Sequence, residues 1–154
     1  MTSIYGLLLL VIAFALTASA QTASISARDL RPIEGKQWTG TLTYLDYTSG
    51  KKTTIKSNIV VTHSDSDALS WTFEIYYPLE PAANGKDEVR LSLDGRTFNG
   101  ETVIENTKLP GSILRIVTTA RGKDDNRDAT FRHTYLIGKR TFSIRKEVKF
   151  DGTD

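Results

Sequence analysis

Residues 69–77 alternate: Leu69, Trp71, Phe73, Ile75 and Tyr77 fall on one side of the chain, and Ser70, Thr72, Glu74 and Tyr76 on the other. A period of two gathers large apolar side chains on one face of an extended strand, whereas a helix would scatter them round its circumference. Such a strand needs a second apolar surface to cover that face. The chain is thereby committed to β-sheet.

The same period recurs along the rest of the sequence. Residues 38–47 place Trp38, Gly40, Leu42 and Tyr44 opposite Thr39, Thr41 and Thr43. Residues 54–61 align Ile55, Ile59 and Val61, and residues 88–93 align Val89, Leu91 and Leu93. Residues 97–105 set Phe98, Thr102 and Ile104 against Asn99, Glu101 and Val103, and residues 112–120 are apolar on both sides. Residues 129–137 align Phe131, His133, Tyr135 and Ile137, and residues 141–150 align Phe142, Ile144, Lys146, Val148 and Phe150. Turn residues separate these runs, and Asp94-Gly95 is the best tight-hairpin signal among them. About eight short strands without a helical stretch predict an all-β fold, an antiparallel up-and-down meander closed as a barrel, with a β-sandwich as the alternative.

The ends read differently. Residues 7–16 are an unbroken apolar run followed by Ala18-Ser19-Ala20, the layout of a signal peptide cleaved after Ala20, although no Lys or Arg precedes the run. Residues 21–34 are polar and aperiodic and read as a loose leader before a barrel domain over residues 35–154. Residues 149–154 look like a strand entering a hairpin turn, so either residues 141–150 close the barrel or a further strand belongs after them. The chain has no Cys and no Asn-x-Ser/Thr sequon, which suits a bacterial periplasm or secreted fraction. The apolar run is short for a permanent membrane anchor. Net charge is +2 with both signs mixed along the chain, so no clustered basic face points to nucleic acid.

Gly35-Lys36-Gln37-Trp38 at the start of the first strand, ahead of the meander, resembles the opening of the lipocalin and wider calycin group. Lipocalins carry G-x-W there, and this spacing is one residue longer. The resemblance implies a barrel with a closed end beneath Trp38, where Arg145 or Lys146 would supply a cation, and an interior that takes one small ligand.

The strand phases name the candidate lining. Tyr44, Trp71, Phe73, Phe131, His133, Tyr135 and Lys146 share inward faces, and Arg115 joins them if Ile113 and Val117 point inward. Lys146 and Arg115 would then hold the anionic group of an amphipathic ligand, because an unpaired charge inside a barrel needs a counter-charge. No G-x-S-x-G or H-E-x-x-H occurs, and two histidines with no partner in sequence do not make a triad. Neither His63 with the acidic turn after it nor the turn at residues 123–128 carries a calcium-loop motif. No cofactor or metal is expected. The expected function is a non-catalytic exported binding protein for a small lipophilic or amphipathic ligand, anionic ones included. An envelope interaction module using Tyr47, Tyr76 and the threonine face is the alternative, and a barrel-cavity enzyme using His133 and Tyr135 is a weaker one.

Overall fold

The computed structural model describes residues 23–152, and the expected signal peptide lies outside the described residues. A short helix α1 (Ala27–Leu30) leads through a 3-10 turn (Arg31–Ile33) into nine strands. These are β1 (Lys36–Asp46), β2 (Lys51–His63), β3 (Ser70–Tyr76), β4 (Gly85–Arg90), β5 (Thr97–Phe98), β6 (Glu101–Leu109), β7 (Ile113–Asp124), β8 (Arg127–Ile137) and β9 (Phe142–Phe150). Every pairing is antiparallel and between neighbours in sequence. The strands form a four-stranded sheet β1-β2-β3-β4 and a five-stranded, curled sheet β5-β6-β7-β8-β9. A single bridge, Leu91 to Phe98, joins them beside the Asp94-Gly95 turn.

The count differs from the sequence reading at one place. Residues 97–105 are not one strand. Asn99 and Gly100 both have positive φ, 51° and 76°, and Phe98 pairs with Glu101 across them. This is the two-residue hairpin that Asn-Gly favours, because both central residues must be left-handed. The phase of β6 is set afresh after it: Val103 is buried and Ile104 is exposed, the reverse of the expected alignment with Phe98.

Both sheets contribute to one core, which includes Val61, Trp71, Phe73, Phe98, Val103, Ile116 and Ile137. The segment read as a loose leader is part of that core. Leu30 and Ile33 are fully buried, and Ile25 donates its backbone N–H to Gly95 O at 2.9 Å. The polar residues between them hid this, since a helical turn covering one end of the core needs only a few apolar contacts. Ser26 and Asp29 form a reciprocal capping box that starts the turn.

By phase, β1 and β9 run in the same sense. They touch near their starts, where Trp38 meets Phe142 edge-to-face at 5.7 Å, and just past the end of β1 the Tyr47 hydroxyl donates to Asp124 Oδ2, at the end of β7, at 2.7 Å. Among the described residues no backbone ladder joins these two edges. No described helix is long and apolar enough to cross a membrane.

Candidate functional site

The inner face of the curled sheet holds a polar group that the Asn99-Gly100 turn makes possible. Reversal at that turn brings Glu101 onto the face shared by Thr118 of β7 and His133 of β8, which pair directly with each other. Glu101 Oε2 lies 2.9 Å from His133 Nδ1 and also accepts the Thr118 hydroxyl. A carboxylate can only accept, so the imidazole carries its proton on Nδ1. Nε2 has no hydrogen-bond partner among the described residues. The side chains of His133 and Glu101 are 20% and 14% exposed, whereas Thr118 is fully buried. Tyr135 packs next along β8, edge-to-face with Phe98 at 5.2 Å. Burial, aided by the Glu101 charge, raises its phenol well above the ordinary tyrosine range.

Towards the other end of the same face, Lys146 Nζ lies 3.1 Å from Asp124 Oδ1 and 4.6 Å from the Phe131 ring centroid. The Phe131 ring covers Gly122, where an added Cβ would stand 2.7 Å from Cε2. A side chain at Gly122 would displace the ring, and with it the surface on which Lys146 rests. The Tyr47 hydroxyl, followed by Lys146, holds the Asp124 carboxyl below its ordinary value. Lys146 therefore already has its counter-charge.

Arg115 is a correction to the sequence reading. Ile116 and Thr118, not Ile113 and Val117, share the face of Tyr135 and His133, so Arg115 takes the opposite face. There it makes a two-pronged contact with Glu105, at 2.8 and 2.7 Å. This contact, then the Thr107 hydroxyl, lowers the Glu105 carboxyl. The residue misplaces by one because β7 is apolar on both faces, which leaves its phase open. Trp71 and Phe73 do face inward, but into the dry end: Trp71 is fully buried with Nε1 donating to Glu34 Oε1 at 2.8 Å, and Phe73 is packed 6.0 Å from Phe142. Tyr44, by contrast, is 39% exposed. The cation over Trp38 is Lys36, 5.6 Å from the ring centroid, in place of the Arg145 or Lys146 that the lipocalin resemblance implies. Arg145 pairs with Glu147 on its own strand.

No family model, curated protein or solved structure matches the chain. Its chemistry is therefore read from the side chains alone.

The structure thus brings Phe131, His133, Tyr135 and Lys146 onto one face, adds Glu101, Thr118 and Asp124, and leaves Arg115 outside. Glu101 was legible only through Asn99-Gly100, and Asp124 only through the β7–β8–β9 pairing that brings Lys146 to it. Among the described residues no group of three or more His, Asp or Glu is placed to hold a metal ion. His63 is tied to a turn, with Nε2 3.1 Å from Ala68 O. Tyr76, proposed for an outer recognition face, donates its hydroxyl to Glu74 at 3.1 Å.

Two surface grooves accompany this face. One, of about 400 Å³, crosses the outer side of β7–β9 and includes Thr119, Arg132 and Glu147. The other, of about 420 Å³, lies between α1 and the ends of β6 and β7.

Proposed function

We propose that this is an exported, non-catalytic binding protein for a small lipophilic molecule, held in a lipocalin-like cup against the inner faces of β1, β8 and β9. One observation carries the reading. Leu42 and Tyr44 of β1 and Ile144 of β9 occupy the inward phase of their strands, yet they are 37%, 39% and 39% exposed. In the same phase, nearer α1, Val61 and Ile137 are dry. Apolar side chains left exposed in the inward phase are where an apolar partner would sit.

The polar members narrow the ligand. Arg115 and Lys146 are each paired with a carboxylate, so neither of the two cations expected from sequence is free to take an anionic headgroup. His133 Nε2 remains to hydrogen-bond a polar group of the ligand. A neutral molecule with one hydrogen-bonding group fits this arrangement.

Titration with the neutral fluorophore N-phenyl-1-naphthylamine tests the reading. Saturable binding that weakens by roughly tenfold in Tyr44→Asp and Ile144→Asp is expected, the loss of about 1.4 kcal/mol from one apolar contact. Equal affinity in both variants, or none in the native protein, overturns it.

A further inference from the structure

The groove beside α1 sets apolar walls next to two exposed cations. Its walls are Leu109, Ile113, Leu114 and Ile137, with Pro32 on the leader side. Lys108 pairs with Leu114 across the β6–β7 ladder, two residues along from Asn106, whose Nδ2 donates to Ser24 O at 2.7 Å. Asn106 and Lys108 therefore share the side of β6 that faces the leader. Arg28, on α1, lines the same groove.

Both cations are exposed, and neither forms an ion pair with any described carboxylate. The one carboxylate at the groove, Asp29, has Oδ2 taken by the Ser26 backbone N–H at 2.8 Å and by its hydroxyl. Two cations without an ion pair to any described carboxylate, in the lining of one apolar cleft, match a molecule with one anionic head and one apolar tail. The volume, about 420 Å³, lies within the range of small-molecule sites, roughly 300–1,000 Å³.

We infer that this crevice binds a single-chain anionic amphiphile, its head between Arg28 and Lys108 and its tail along Leu109, Ile113 and Leu114. The site lies at the α1 end, is lined by none of Leu42, Tyr44 and Ile144, and takes an anion where the inner face, under Proposed function, takes a neutral molecule. Its occupant would lie against the leader turn, whose Leu30 and Ile33 close this end of the core.

Calorimetric titration of the whole protein with monomeric dodecanoate, dodecyl phosphate and neutral dodecanol tests the assignment. Binding of one dodecanoate or dodecyl phosphate per chain is expected, tighter than dodecanol and weakened by roughly tenfold or more in Arg28→Gln/Lys108→Gln. A preference between the two anions identifies the headgroup as carboxylate or phosphate. Tyr44→Asp, on the inner face, should leave anion binding unchanged while it impairs the neutral probe. The inference is overturned if dodecanol binds as tightly as the anions, if the double variant binds normally, or if Tyr44→Asp abolishes anion binding. Sedimentation with phosphatidylglycerol vesicles without one-to-one binding of the monomeric anions also overturns it. The substituted residues are exposed, so thermal melts of the variants should coincide with the native protein.

Discussion

Glu101 and His133 stand on strands that do not touch each other, yet their side chains meet at 2.9 Å across β7. Thr118, on the strand between, donates to the same Glu101 oxygen. One carboxylate thus fastens three strands on the concave face. Glu101→Ala leaves the Thr118 hydroxyl and the His133 Nδ1–H short of an acceptor. The expected cost is about 1–3 kcal/mol, read as a lower urea midpoint at unchanged slope. An unshifted midpoint means water replaces the carboxylate at no cost.

Tyr135 should set the alkaline limit of stability. Its folded pKa is raised by burial and then by Glu101, so the neutral phenol is the form that folds. The contribution is complete below the unfolded tyrosine value of about 10 and is lost as pH rises from there towards the folded value. In a spectrophotometric titration its phenolate should form only as the protein unfolds, and Tyr135→Phe should flatten the alkaline decline. Ionisation of all tyrosines before unfolding would contradict the burial.

Asp124 works in the opposite direction. The Tyr47 hydroxyl and Lys146 depress its folded pKa, so its contribution is present above the unfolded value of about 3.9 and is lost as pH falls through the lower folded value. Asp124→Asn should be less stable than the native protein near neutrality, and the difference should shrink as pH falls below about 4. Denaturation midpoints across that window check this; a gap that stays constant with pH sinks it.

Gly95→Ala should detach the leader. Gly95 has φ +70°, and an added Cβ would stand 2.0 Å from Ile25 O. The left-handed backbone alone costs a non-glycine residue about 1–2 kcal/mol, and the overlap breaks the Ile25–Gly95 hydrogen bond as well. Limited proteolysis near residue 25 should speed up before global unfolding does. Equal rates in variant and native protein would show that the leader holds without this contact.

Trp38 and Phe142 couple the free edges of the two sheets. A double-mutant cycle over Trp38→Leu and Phe142→Leu should give a coupling of about 0.5–1.5 kcal/mol, the range for edge-to-face aromatic pairs. Additive losses would mean the edges are held elsewhere.

Period-two patterning determined by itself that this is an antiparallel β-meander, because alternation chooses the buried face of each strand from local sequence. It read Tyr135, His133 and Phe131 onto one face for the same reason. Where a strand is apolar on both sides, as in β7, the pattern carries no phase, and only pairing with β8 decided that Thr118 faces in and Arg115 out. The Asn99-Gly100 reversal is local and readable, but its consequence is not: Glu101 becomes the partner of His133 only when β6, β7 and β8 are laid side by side. The leader shows the same division. Nothing periodic marks Ile25, Leu30 and Ile33, and their burial follows from an end of the core that exists only once the two sheets have formed. The pairing of Lys146 belongs to the tertiary level, since Lys146 and Asp124 are 22 residues apart in sequence, and only their contact in space neutralises a charge that the sequence offered as free.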